Sequence, residues 1–189
     1  TVFSSLRSPG ALPRMLTSFI GREREIAAIR RLLIEDEVRL VTITGAGGVG
    51  KTRLAVRIAE ISVDDFPGGI SFVSLEAVRD PSLVPSAIAQ AFDIREAGNR
   101  SLLTRIVRTL PAKPVLLVLD NFEHLIDAAP VVSELLSAHK FLHCLVTSRA
   151  VLRLSGEHAF PLLPLPLPPV TTLTTTERVQ YSPAVQLFV

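Results

Sequence analysis

Gly45-Ala46-Gly47-Gly48-Val49-Gly50-Lys51-Thr52 fits G-x-x-x-x-G-K-[ST] at every fixed position, and its flanks fit as well. Residues 38–44 before it are rich in β-branched side chains and predict a buried strand. Residues 50–61 after it place Leu54, Ile58 and Ile61 on one face of a helix. The residue types suit one chemistry. Glycines let the backbone curl until several N–H groups point into one concavity, which binds an anion such as a phosphate. The following helix adds the positive end of its macrodipole and its unpaired first N–H groups. Lys51 brings a mobile positive charge for β- and γ-phosphates, and the Thr52 hydroxyl suits a Mg²⁺ ion.

The rest of the chain supplies a sheet for this loop. A helix is expected from Arg22 to about residue 34, with Ile26, Ile29, Leu32 and Leu33 at helical spacing. Strands are expected over residues 70–75, 115–119, 142–147 and 158–162. Asp80-Pro81 predicts a helix start, with Asp as N-cap and Pro in the first turn, running to about Phe92. Asn99 is a candidate cap for a helix carrying Leu102, Leu103, Ile106, Val107 and Leu110, and residues 129–138 form another, with Pro130 in its first turn. Continuous apolar strands alternating with helices imply an α/β fold: a three-layer sandwich with a mainly parallel sheet and helices on both faces. Residues 17–162 are assigned to this domain and 1–16 to a linker or arm. Residues 163–181 read as a Pro-rich connector, and Ser182-Pro183 starts a helical domain over 182–189. With Thr1 first and an apolar pattern still open at Val189, the sequence is expected to be a piece of a longer protein.

Asp120 closes the aliphatic run Val115-Leu116-Leu117-Val118-Leu119. A carboxylate at the carboxyl edge of a central parallel strand faces the ligand crevice, and Mg²⁺ relieves the cost of leaving it there unpaired. Thr147-Ser148-Arg149 ends the next strand at the same edge. Arg149 is open to two readings: a contact to the γ-phosphate that distinguishes ATP from ADP, or an Arg that caps the strand end or pairs with a surface acid.

With 189 residues, 48% of them hydrophobic and 20% charged, the composition is that of an ordinary globular domain. No segment reaches the ~18 apolar residues of a membrane span, and no secretion signal is evident. The net charge of +2 spreads over interleaved Arg and Glu, as in Arg22, Glu23, Arg24 and Glu25, so direct nucleic-acid contact is not expected. Cys144 is the lone cysteine, excludes an intramolecular disulfide, suits the cytoplasm and is expected to be buried in its strand. His124, His139, His143 and His158 lack metal-ligand spacing. Leu154-Ser155-Gly156-Glu157 resembles the start of an ABC-transporter signature but lies on the wrong side of Asp120, and is set aside.

Taken together, Phe19-Ile20-Gly21-Arg22-Glu23, the phosphate loop, Leu119-Asp120-Asn121-Phe122-Glu123-His124 and Val146-Thr147-Ser148-Arg149 resemble the STAND class of P-loop signalling ATPases. The likeness is to the NB-ARC-like modules of LuxR-type and AfsR/SARP-type bacterial transcriptional regulators, and runs from about Leu12 to Val189. The resemblance implies ATP or ADP with Mg²⁺ as ligands, and Phe19, Ile20, Gly21 and Arg22 as the adenine pocket. Nucleotide contacts would run through Gly45, Gly47, Gly48, Val49, Gly50, Lys51, Thr52 and Arg53, with Thr52 and Asp120 at the metal and Arg149 as sensor. It also implies attached DNA-binding and helical-repeat domains, a homo-oligomer in the ATP state, and a switch between closed ADP and open ATP forms. Many members carry a second acid after the Walker B Asp, where this chain has Asn121, a poor base; Glu123, two residues further on, is read either as its substitute or as a surface carboxylate. Hydrolysis is therefore expected to be slow. The competing expectations are a catalytic ATPase or kinase with real turnover, and a scaffold with a vestigial site.

Overall fold

The computed structural model describes residues 12, 13, 15, 17, 19–36, 38–94 and 101–165. Its elements are α1 (Glu23–Ile34), β1 (Leu40–Thr44), α2 (Lys51–Ile61), β2 (Ile70–Ser74), α3 (Val84–Ala91), α4 (Leu102–Thr109), β3 (Val115–Asp120), α5 (Ala129–Ala138), β4 (Leu142–Ser148) and β5 (Glu157–Pro161). The strands form one five-stranded sheet in the order β2-β3-β4-β1-β5. Every pairing is parallel, so the expected mainly parallel sheet is wholly parallel among the described strands.

Alternation along each strand divides the core into two layers. Val115, Leu117 and Leu119 of β3, with Leu142, Cys144 and Val146 of β4, meet α3, α4 and α5 on one face. Leu116, Val118 and Leu145, with Val41 and Ile43 of β1, meet α1 and α2 on the other. All six β3 residues are buried, as a strand covered on both faces must be. Among the described residues, no helix is long and apolar enough to cross a membrane.

Several boundaries differ from the sequence expectation for local reasons. α1 starts at Glu23 because Arg22, at φ 70°, sits in the left-handed region and cannot be a helical residue. The helix expected from Asp80 to Phe92 divides into a 3-10 turn, Pro81–Leu83, and α3. Pro85 has no N–H to offer the Pro81 carbonyl and its ring crowds that oxygen, so one continuous helix cannot form. Asp80 does cap the turn, accepting from the Ser82 N–H at 2.9 Å. Asn99 and the expected helix start at Ser182 lie outside the described residues, as do residues 166–181 of the connector. Pro161 falls in β5, an edge strand, where a missing donor is tolerated.

Candidate nucleotide site

The carboxyl ends of β1, β3 and β4 meet at one edge of the sheet, because all three strands run the same way in adjacent positions. The loop 45–50 leaves β1 there and feeds α2. Gly48 and Gly50 hold φ of 80° and 94°, a region that glycine enters without steric cost. Gly45 is required for a second reason: a Cβ on it would lie 2.6 Å from the Leu162 carbonyl oxygen. The chain leaving β5 thus runs directly against the start of the loop, and the Leu162 N–H donates to the Thr44 carbonyl at 2.7 Å.

Three side chains converge beneath the loop. Thr52 donates its hydroxyl to Asp120 Oδ1 at 2.8 Å. Thr147 donates to the same oxygen at 2.5 Å and accepts from the Asn121 N–H at 3.0 Å. Asp120 is buried, and the side-chain hydrogen bonds its Oδ1 accepts come from two hydroxyls; among the described residues it forms no ion pair. Lys51, also buried, folds back and donates from Nζ to the carbonyls of Gly45 at 2.8 Å and Ala46 at 2.9 Å. Its ammonium therefore lies inside the curl of the loop rather than in solvent.

Asn121, at φ 61°, turns the chain sharply out of β3 into a 3-10 turn, Phe122–His124. Phe122 is fully buried, and His124 Nε2 donates to the Val78 carbonyl at 2.7 Å. Glu123, between them, pairs through Oε1 with Arg149 Nε at 3.1 Å. Of the two readings of Arg149, the side chain shows the acid partner. Its guanidinium nevertheless lies over the loop, 3.5 Å from where a Cβ on Gly47 would stand.

The expected adenine segment is dispersed in its contacts. Arg22 is spent on neighbours: it pairs with Glu25 at 2.7 Å and donates to the carbonyls of Val49 at 3.3 Å and Leu163 at 2.7 Å. Gly21 shares its left-handed backbone, at φ 70°. Phe19 and Arg53 line a cleft of about 260 Å³ with Met15, Thr17, Val56, Arg57 and Glu60; Ile20, Gly21 and Arg22 do not. Thr147 is the site residue that sequence reasoning passed over. The available signal was a hydroxyl at a position of β4 that must be buried. Glu157 of the discarded Leu154–Glu157 segment accepts from the N–H groups of Leu152 and Leu154 and closes a turn.

These residues fit a phosphate with a divalent cation. The loop is a cradle that side chains would fill or strain at Gly45, Gly48 and Gly50. Among the described residues, the partners of the Lys51 ammonium are the neutral carbonyls of Gly45 and Ala46. Thr52 and Asp120 supply hard oxygen donors side by side, the set that Mg²⁺ takes.

A family described as AAA domain matches residues 13–161. An uncharacterised protein of Mycobacterium tuberculosis is 37% identical over 155 residues, which are 82% of this chain and 39% of that protein. Another M. tuberculosis protein, named as an HTH-type transcriptional regulator, is 41% identical over 130 residues, 68% of this chain and 14% of its own length. The regulatory protein AfsR of Streptomyces griseus is 31% identical over 169 residues, covering 82% of this chain and 17% of AfsR. This chain is therefore matched to well under half the length of these relatives. Among solved structures, Cdc6p of Pyrobaculum aerophilum aligns with a TM-score of 0.55 at 17% identity, over 85% of this chain and 49% of that one. A STAND protein with a tetratricopeptide-repeat sensor from Pyrococcus horikoshii aligns with a TM-score of 0.52 at 19% identity, over 95% of this chain and 29% of that one. Those two likenesses speak to the fold, which is that of a P-loop NTPase. The relatives named as regulators agree with the resemblance to bacterial transcriptional regulators, and the chain, with its P-loop NTPase fold, belongs to the AAA domain family.

Proposed function

We propose that this domain binds ATP or ADP with Mg²⁺ and acts as a regulatory switch within a larger, cytoplasmic transcriptional regulator. The observation that carries the reading is the meeting of Thr52, Asp120 and Lys51 under one glycine loop at the carboxyl edge of a parallel sheet. Loop N–H groups and Lys51 would take the phosphates, and Thr52 with Asp120 would hold the cation. The cation shares the phosphate charge. The cleft lined by Phe19 and Arg53 is the proposed place for the base. Attached DNA-binding and helical-repeat domains, and assembly into a homo-oligomer in the ATP state, belong to the same proposal. The relatives named as regulators support it.

Hydrolysis in this proposal is slow. Asn121 follows Asp120, and an amide does not accept the proton of an attacking water. Glu123 is committed through one oxygen to Arg149. Calorimetry with Mg-ADP and Mg-ATP should give dissociation constants in the micromolar range or tighter. Lys51→Ala should weaken both by about tenfold or more, the scale of a lost charge-assisted hydrogen bond. No binding of either nucleotide by the unsubstituted chain sinks the proposal. A phosphate-release assay should give turnover well below the ~1–100 s⁻¹ of phosphotransfer enzymes; a rate within that range would favour a catalyst instead.

A further inference from the structure

We propose that Glu123 sets the preference between ATP and ADP by competing with the terminal phosphate for Arg149. This deepens the nucleotide reading above and rests on it. The geometry is specific. Arg149 follows the last residue of β4, and Glu123 stands on the turn after β3, so the paired strands bring the two together at the loop. Nε of Arg149 meets Oε1 of Glu123 at 3.1 Å, while the guanidinium stands against the loop at Gly47.

The two partners are unequal. Glu123 sits on a turn pinned by buried Phe122 and Leu125 and by the His124 bond to Val78, and its side chain is 21% exposed. Arg149 is 67% exposed and is the member free to swing. Oε2 of Glu123 is buried without a hydrogen-bond partner, and Arg149 forms the one ion pair of Glu123 among the described residues. Drawing Arg149 away leaves that carboxylate partly desolvated and unpaired, which has a cost.

ADP ends at the β-phosphate, which the loop N–H groups and Lys51 accommodate without Arg149. The γ-phosphate of ATP extends beyond them and is a second anionic acceptor for the same guanidinium. In this proposal the γ-phosphate draws the guanidinium off Glu123, so ATP alone gives up the ion pair, and the pair biases the site toward ADP.

Calorimetry at one fixed salt concentration tests this, with Mg-ADP and the non-hydrolysable Mg-AMP-PNP, on the unsubstituted chain, Glu123→Gln, Glu123→Asp, Arg149→Ala and the double variant Glu123→Gln/Arg149→Ala. An ion pair this exposed is modest, so Glu123→Gln should raise the triphosphate-to-diphosphate affinity ratio about two- to fivefold. Glu123→Asp keeps the charge but shortens the reach, and should move the ratio the same way by less. In the Arg149→Ala background, Glu123→Gln should leave the ratio unchanged. An unchanged or lowered ratio in the single Gln variant, with nucleotide still bound, overturns this inference alone. An equal rise in both backgrounds also overturns it, because Glu123 would then act by plain repulsion. If the unsubstituted chain binds neither nucleotide, the nucleotide reading itself fails.

Discussion

Asp120 Oδ1 collects hydroxyl protons from Thr52 and Thr147, one from the phosphate loop and one from the neighbouring strand. The two have different consequences. Thr52 can exchange its bond to Asp120 for a shared cation, whereas Thr147 also accepts the Asn121 N–H and so ties β3 to β4 at the turn. Thr147→Val would leave a partly buried N–H and part of a buried carboxylate unsatisfied. A loss of about 1–3 kcal/mol is expected in urea unfolding, most of it recovered by Thr147→Ser. Equal destabilisation by Ser and Val would show that the hydroxyl is not the cause. Cys144 makes the opposite point on the same strand. Burial pushes its thiol up to about 12, against an opposing influence of the Arg39 charge. The thiol stays neutral through the physiological range, so iodoacetamide at pH 8 should leave it unmodified in the folded chain and alkylate it in urea; mass spectrometry separates the two. The buried Cys144 was legible in its apolar run. The role of Thr147 was not, because nothing local marks which hydroxyl faces a carboxylate on the next strand.

At the scale of elements, continuous apolar runs made the strands readable to within one or two residues at their ends, and two helix starts moved because a single residue intervened. Arg22 in the left-handed region and Pro85 without an N–H are the two instances. Both rules act over a few residues, and the Pro85 break was available from the sequence but hidden by the stronger Asp80-Pro81 start signal. That start signal is itself testable. The Asp80 carboxyl is lowered from its usual value, first by the Ser82 backbone N–H and then by the Ser82 side chain. A carboxylate lowered on folding contributes stability above its unfolded value and loses it as pH falls through the folded one. Asp80→Ala should therefore lower the urea midpoint at pH 7 and have less effect at pH 2–3, while Asp80→Asn keeps a cap and loses the pH dependence. A pH-independent difference between Asp80 and Ala would exclude this account.

The order β2-β3-β4-β1-β5 was beyond any local signal, since it pairs strands that are far apart in sequence. It nevertheless decides what the site is joined to. β1 lies between β4 and β5, so the loop that leaves it touches Asp120 through Thr52 on one side and the carbonyls leaving β5 on the other. Arg22 spans the same boundary, with bonds to Val49 in the loop and Leu163 beyond β5. A ligand held by the loop should accordingly stabilise the molecule as a whole rather than one segment. Ligand that binds only the folded chain at about 100 times its dissociation constant adds ~2.7 kcal/mol. For a domain of this size that corresponds to roughly 5–10 °C in melting midpoint. Mg-ADP should raise the midpoint in proportion to the logarithm of its concentration, chelation of the cation should reverse part of the gain, and Lys51→Ala should respond only weakly. Amide exchange recorded alongside should slow in β1, β3, β4 and β5 together, since their carboxyl ends share the loop. Protection confined to residues 45–52 with an unmoved midpoint would mean that the loop closes on its ligand without engaging the sheet, and a site so isolated could not pass its state to anything attached beyond Leu163.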